Sequence, residues 1–180
     1  METSILKPVE IPKRKICIIG YFGSGKSSLI NRLVNDRFDE SYKTSIGVTL
    51  SHKTVFCDID KESRKLNLLI WDLEGEGQST ETSSDYYLGS SGAIIVSDLM
   101  RKETIETIPL LIEKFLNVVP KGNIILAGNK IDLCKEEQNY KALFKEIALS
   151  LNHTYFYTSA KTNENVEECF SALAKSILSS

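Results

Sequence analysis

The stretch KICIIGYFGSGKSSLINRL, residues 15–33, decides the fold of this 180-residue chain. Its first part, KICIIG at 15–20, is a short apolar run that predicts a buried strand. The part that begins at Ser27 and extends to Asn35 is predicted to be a helix. Between them lies a turn that contains Gly23 and Gly25. A buried strand that leads through a glycine turn into a helix indicates an α/β protein.

The turn itself, GYFGSGKS at 20–27, matches the pattern G-x-x-x-x-G-K-S, which is the P-loop. Phosphate groups need several converging donors, and backbone N–H groups at a glycine turn and a helix N-terminus supply them. A lysine can bridge β- and γ-phosphates, and a serine hydroxyl can coordinate Mg²⁺. The alternative is a glycine turn that binds nothing, which the position between strand and helix disfavours. The predicted phosphate-binding residues are Gly23, Ser24, Gly25, Lys26, Ser27 and Ser28.

Five further apolar runs predict strands within 48–60, 64–72, 93–99, 123–129 and 154–160. The first two are separated by a tight polar turn, so we expect them to be antiparallel. The others are continuously apolar, which is typical of parallel strands that are covered on both faces. The sequence therefore predicts a doubly wound α/β fold with a ligand site at the carboxyl ends of its strands.

Helical spacing of apolar residues predicts two more helices. Segment 104–118 contains Pro109, so the regular helix should begin near Thr107 and leave the proline in its first turn. In the last helix, Asn165 and Glu168 are spaced as in a capping box.

Two later motifs predict which base is bound. NKID, 129–132, follows the strand in 123–129, and TSAK, 158–161, follows the last strand. A carboxylate at Asp132 can accept from N1–H and the 2-amino group of guanine, whereas adenine would leave it unpaired. Such sites discriminate by ~10⁴–10⁵. Lys130 can cover one face of the base, Asn129 can tie loops together, and the Ala160 N–H can donate to guanine O6. Taken alone, NKID would also fit a polar loop.

Bulk composition excludes several classes of protein. A formal net charge of -2 is unlike that of a dedicated nucleic-acid binder. No apolar run approaches the ~20 residues that span a bilayer, and the N-terminus resembles no secretory signal. The four cysteines lack metal-like spacing, so we expect reduced thiols in a cytoplasmic protein.

GYFGSGKS, WDLEG (71–75), NKID and TSAK, in this order, resemble the small GTPases of the Ras superfamily, with most similarity to Rab. The segments SYKTSIGVTL (41–50) and YYLGSSGAIIVSDL (86–99) carry the Rab resemblance. It implies a P-loop NTPase, small G-protein fold: a six-stranded, mostly parallel sheet with one antiparallel strand and helices on both faces. It also implies a GTPase domain at 15–180, and Pro8 and Pro12 in the residues before it predict an extended N-terminal arm at 1–14.

The resemblance implies roles for individual residues. Phe38 stands where the family stacks an aromatic ring on guanine, although it could also be a core or surface residue. Ser45 replaces a threonine that ligates Mg²⁺ and contacts the γ-phosphate, Asp72 holds Mg²⁺ through a water, and the Gly75 N–H touches the γ-phosphate. The implied metal set is Ser27, Ser45 and Asp72. The nucleotide set adds Phe38, Ser45, Gly75, Asn129, Lys130, Asp132, Ser159, Ala160 and Lys161 to the phosphate-binding residues.

Two departures from the family pattern predict slow hydrolysis. Glu76 occupies the place of the catalytic glutamine and cannot donate a hydrogen bond when ionised, a loss worth ~10²–10³ in rate. Phe22 occupies a small-residue position where a partner's arginine, worth ~10³–10⁵, would enter. The implied catalytic set is Lys26, Gly75 and Glu76. Alternatives are that Gln78 takes the glutamine's place, that Glu76 acts as a general base, and that Phe22 points outward.

The expected function is a guanine-nucleotide switch, with a GTP-binding adaptor of negligible hydrolysis as the alternative. NKID and TSAK argue against an ATPase or nucleoside kinase. We expect a monomer that contacts effectors, exchange factors and activating proteins through switch I (41–50) and switch II (74–88). The sequence ends in ILSS without the prenylated cysteine tail usual in the family. Either a tail was removed or the protein does not anchor by prenylation; membrane association would need such a tail or a partner.

Overall fold

The computed structural model describes residues 10–38, 48–73, 84–135 and 139–180. Three predicted site residues, Ser45, Gly75 and Glu76, lie outside these ranges. So do Gln78 and most of both predicted switch segments. Their assigned roles stay predictions.

The described strands form one six-stranded sheet of order β2-β3-β1-β4-β5-β6. β2 pairs with β3 in an antiparallel arrangement, and all other neighbours in the sheet are parallel. This confirms the predicted sheet with its single antiparallel strand. The strands are β1 (Lys13–Gly20), β2 (Val48–Ile59), β3 (Glu62–Leu73), β4 (Gly92–Asp98), β5 (Asn123–Asn129) and β6 (Thr154–Tyr157).

Helices cover both faces of the sheet, as the sequence predicts. Alternate residues of a strand point to opposite faces. Ile16 and Ile18 of β1 therefore join the core cluster that contains Phe170, whereas Cys17 and Ile19 join the one that contains Phe115. The helices are α1 (Lys26–Asn35), α2 (Lys102–Glu106), α3 (Ile108–Val118), α4 (Lys141–Ser150) and α5 (Val166–Ser179).

The helix ends agree with the sequence in one case and differ in another. Pro109 lies in the first turn of α3, as predicted. The prediction of a capping box at the start of α5 is wrong, because the Asn165 side chain makes no capping hydrogen bond. Asn165 has a left-handed backbone with φ 51°, and its side chain donates to the Tyr157 carbonyl at 2.9 Å instead of capping the helix. The amide therefore links the helix start to the end of β6.

All four cysteines are free, as expected. Burial raises the pKa of the Cys17 thiol, which lies 3.1 Å from the Ser90 hydroxyl. In the part of the chain that the structure describes, every helix is too short or too polar to span a membrane.

Candidate functional site

Most of the predicted site residues that the structure describes lie at one edge of the sheet, because the parallel strands that carry them end there. β1 runs into the P-loop at Gly20, and β3 carries Asp72 one residue before its end. β5 ends at Asn129, the first residue of NKID, and β6 ends one residue before TSAK. This is the edge at which ligands bind in open α/β sheets.

Two glycines of the P-loop are required by its backbone. Gly23 and Gly25 have φ values of 74° and 96°, which side chains rarely tolerate. A Cβ atom added to Gly25 would lie 2.3 Å from the Asn129 side-chain nitrogen. The loop can therefore approach NKID only with glycine at this position.

Three consecutive P-loop carbonyls are each held by a side chain from another loop. Asn129 Nδ2 donates to the Ser24 carbonyl at 3.0 Å, and Lys130 Nζ donates to the Gly23 carbonyl at 3.0 Å. Arg101 Nη1 donates to the Phe22 carbonyl at 2.8 Å. A trans peptide places its C=O and the following N–H on opposite sides. Fixing a carbonyl therefore also fixes the direction of the next N–H.

Lys26 is buried at the start of α1, where its Nζ donates to the Gly20 carbonyl at 3.1 Å and to the Tyr21 carbonyl at 3.3 Å. These two hydrogen bonds hold the Lys26 ammonium against the backbone of the P-loop. The side chain of the next residue, Ser27, contacts β3.

Ser27 and Asp72 form a hydroxyl–carboxylate pair, here named the Ser27–Asp72 pair. Ser27 Oγ donates to Asp72 Oδ2 at 2.5 Å. Asp72 Oδ1 is buried and has no hydrogen-bond partner among the described residues. Burial raises the pKa of the Asp72 carboxyl, against the smaller opposing effects of the Ser27 hydrogen bond and the Lys26 charge. A hydroxyl and a carboxylate with an unused oxygen are hard ligands that fit Mg²⁺.

On the other side of the P-loop lies the NKID corner, which consists of Asn129, Lys130, Asp132, Ser159 and Ala160. Asn129 Oδ1 accepts from the Thr158 hydroxyl at 3.3 Å and from the Ala160 N–H at 3.4 Å. Since Asn129 Nδ2 also binds the P-loop, this residue ties two loops together, as predicted. Asp132 Oδ1 accepts from the Ser159 hydroxyl at 2.6 Å, so the exposed carboxylate has a defined orientation.

The remaining predicted residues are less closely tied to this edge. Phe38 is half-buried and packs against the core cluster that contains Leu33 and Phe170. Ser28 is half-buried in α1, and Lys161 is exposed.

Sequence reasoning missed three charged residues that organise the site. Asp98 is buried, and its Oδ2 pairs with Lys130 Nζ at 2.6 Å. Arg32 donates to the Ala160 carbonyl at 2.8 Å and to the Lys161 carbonyl at 3.0 Å. Arg101 is the third. An aspartate at or next to the end of a buried apolar strand was a usable signal for Asp98, which ends β4, since Asp72 lies one residue before the end of β3. The two arginines carry no local signal.

This fold and its P-loop, NKID and TSAK loops define a nucleotide-binding P-loop protein of the small-GTPase type. The Ras family model matches residues 15–179. The chain therefore belongs to the Ras family of small GTPases, and within it the similarity is to Rab proteins.

Individual relatives agree. The chain is 35% identical to GTP-binding protein ypt5 of Schizosaccharomyces pombe over 173 residues, which cover 95% of this chain and 81% of that protein. It is 36% identical to Ras-related protein Rab-1 of Theileria parva, covering 91% and 73% of the two chains. For Ras-related protein Rab-31 of Rattus norvegicus the identity is 33%, with coverage of 93% and 84%.

Proposed function

We propose that this protein is a guanine-nucleotide switch that binds GTP and GDP with Mg²⁺ and hydrolyses GTP slowly. The observation that carries the proposal is the side chain of Asn129, which hydrogen-bonds the P-loop at Ser24 and the TSAK loop at Thr158 and Ala160. One residue thereby fixes the distance between a phosphate-binding loop and a base-binding corner. A relative is named as a GTP-binding protein, which supports the same ligand.

The base would be read at the NKID corner. The Ser159 hydroxyl donates a hydrogen bond to Oδ1 of Asp132 and accepts one from the Thr162 N–H at 3.0 Å. The Asp132 carboxylate is therefore oriented by a hydroxyl whose own position is fixed by a hydrogen bond. The exposed acceptors of Asp132 suit the N1–H and 2-amino donors of guanine. An ion pair with the buried Asp98 carboxylate anchors the Lys130 ammonium, which leaves the alkyl stem of Lys130 to cover one face of the base.

The Ser27–Asp72 pair would hold Mg²⁺, together with Ser45. The cation would neutralise charge on the β- and γ-phosphates. Asp72 is suited to this role because its buried Oδ1 lacks a partner among the described residues and its charge is disfavoured by burial. Lys26, buried beside the pair, would contribute the second positive charge at the phosphates.

The switch itself would act through the segments around Ser45 and Gly75. Both would contact the γ-phosphate and would lose that contact on hydrolysis. The described parts of switch I and switch II expose large apolar side chains, namely Leu50 (64%), Tyr86 (39%) and Leu88 (58%). Exposed apolar side chains in the two switch segments suit contacts with effectors, exchange factors and activating proteins. The protein would act as a cytoplasmic monomer with a Rab-like role in membrane trafficking or signalling. Any attachment to a membrane would be through a tail or a partner.

Slow hydrolysis follows from Glu76 and Phe22. Phe22 is half-buried in the P-loop, and its carbonyl is fixed by Arg101. A phenyl ring in this position would obstruct an arginine supplied by a partner, while Glu76 would lack the donor that glutamine provides. Glu76 would slow intrinsic hydrolysis, whereas Phe22 would limit the acceleration that a partner's arginine supplies.

Single-turnover hydrolysis of GTP in Mg²⁺ tests this proposal. The double variant Glu76→Gln/Phe22→Gly should hydrolyse GTP ~10²–10³ faster than the unmodified protein. As a control, Glu62→Gln removes an exposed carboxylate that contacts only the Arg64 side chain in the described hydrogen bonds, and it should leave the rate unchanged. Equal rates for the unmodified protein and the double variant would contradict slow hydrolysis.

The alternative, an adaptor with negligible hydrolysis, differs in the nucleotide that it retains. Chromatography of the nucleotide released from freshly purified protein separates the two. Bound GDP would support a hydrolase, and bound GTP would support the adaptor.

A further inference from the structure

The guanidinium of Arg101 is fixed on three sides at the outer face of the P-loop. Its Nη1 donates to the Phe22 carbonyl at 2.8 Å, and its Nε donates to Glu103 Oε1 at 2.9 Å. The group also lies over the Tyr21 ring, 5.4 Å from the ring centroid, within the range of a cation–π contact. An arginine held by a carboxylate, a carbonyl and a ring has little rotational freedom.

The contact with Phe22 determines the direction of the next amide. The peptide between Phe22 and Gly23 is planar and trans, so holding its carbonyl outward turns the Gly23 N–H toward the inside of the loop. Backbone N–H groups in this loop are the donors that cradle phosphates. The approach is also close, since a Cβ on Gly23 would lie 3.1 Å from Arg101 Nη1, a tight contact that the guanidinium would have to move slightly to relieve.

We propose that Arg101 is a positioning residue that sets the affinity of the P-loop for the second phosphate of a nucleotide. It acts through the Phe22–Gly23 peptide and does not touch the ligand. The inference rests on the proposed function, because it deepens the description of the same site. It extends the clamp made by Asn129 and Lys130 to a third carbonyl, and it draws on a different loop, between β4 and α2.

The neighbouring lysine supplies a matched control. Lys102 follows Arg101 directly, and its ammonium pairs with Glu106 at 2.8 Å on an exposed surface. Lys102→Met removes one positive charge, as Arg101→Met does, but from a side chain whose described ion pair is with Glu106 and not with the P-loop. General electrostatic attraction of nucleotides would respond alike to both substitutions, whereas positioning of one amide would respond only to Arg101→Met.

The test compares affinities for GDP and GMP, measured by displacement of a fluorescent guanine nucleotide. Arg101→Met should weaken GDP binding about tenfold, since a charge-assisted hydrogen bond is lost, and leave GMP binding unchanged. Lys102→Met should change neither. Both ligands are measured on one preparation, so the ratio of the two affinities does not depend on the fraction of folded protein.

Two further variants define the mechanism. Arg101→Lys retains a donor and should recover part of the GDP affinity. Glu103→Gln weakens the orientation of the guanidinium and should reduce GDP affinity less than Arg101→Met does. Equal losses for GDP and GMP, or no loss for either, would overturn the assignment of Arg101. If the unmodified protein bound no guanine nucleotide, the proposed function would fail as well.

Discussion

The two corners on either side of the P-loop are prepared in opposite ways. In the NKID corner, Asn129 uses both ends of its amide and Asp132 is oriented by the Ser159 hydroxyl. In the Ser27–Asp72 pair, one carboxylate oxygen is buried without a partner among the described residues, and burial raises the pKa of the carboxyl. The protein itself supplies hydrogen-bond partners for the polar side chains of the NKID corner, whereas in the Ser27–Asp72 pair Oδ1 of Asp72 lacks one among the described residues.

From this difference we expect different physical roles for the NKID corner and the Ser27–Asp72 pair. A preorganised corner discriminates among ligands, because a poorly matched base would leave held groups unpaired. A buried acceptor without a partner costs about 1–3 kcal/mol, and a cation that binds it recovers this energy. We therefore expect substitutions in the NKID corner to change which base is bound, and substitutions in the Ser27–Asp72 pair to change how binding depends on Mg²⁺.

The largest effect is expected for Asp132→Asn. Xanthine carries a carbonyl where guanine has its 2-amino group, and an asparagine amide can donate to that carbonyl. GTP affinity should fall about 10⁴-fold while XTP affinity rises. Competition binding with both nucleotides measures the change. Asp60→Asn, in the exposed β2–β3 turn, should have no effect. If the variant still preferred GTP, the NKID corner would not be the base reader.

Gly25→Ala should lower the affinity for all guanine nucleotides about 100-fold. The substitution adds left-handed strain of ~1–2 kcal/mol and displaces Asn129 from the Ser24 carbonyl, which adds about 1 kcal/mol. Gly89→Ala is the matched control, because Gly89 also has a positive φ, 73°, but a Cβ there meets nothing within 4 Å. It should lower the unfolding temperature without lowering affinity. Equal affinities for the two variants would contradict the contact between the loops.

Asp72→Asn should accelerate GDP release about tenfold in Mg²⁺ and have little effect in a chelator. In the chelator the variant should also unfold at a higher temperature than the unmodified protein, because a buried charge has been removed. Asp58→Asn, on the exposed face of β2, serves as the control. An acceleration of the same size with and without Mg²⁺ would show that Asp72 does not act through a cation.

The smallest effect is expected for Ser159→Ala. Loss of the hydroxyl that orients Asp132 should cost about 1 kcal/mol, or roughly fivefold in affinity for GDP, with no change in the dependence on Mg²⁺. Ser176→Ala removes a hydroxyl that donates to Asn123 away from the site, and should leave affinity unchanged. A loss of affinity confined to low Mg²⁺ would contradict the claim that the NKID corner and the Ser27–Asp72 pair act independently.

Features that depend on neighbouring residues in the chain could be predicted from the sequence. The buried strands, the glycine turn and the proline at the start of α3 are of this kind, and all were confirmed. The link through Asn129 was also predictable, because parallel strands place their carboxyl ends together.

Features that depend on distant partners could not be predicted. The side chain of Asn165 bonds the end of β6, a contact that a capping pattern does not reveal. Arg101 lies 79 residues from Phe22 in the sequence, and Arg32 lies 128 residues from Ala160. The helix α4 and the short helix α2 also have no counterpart among the predicted elements.

Calorimetric titration of the unmodified protein with GTP and with ATP, both in Mg²⁺, tests most directly whether the NKID corner reads guanine. We predict that GTP binds about 10⁴-fold more tightly than ATP. Similar affinities for the two nucleotides, or no binding of either, would contradict the account.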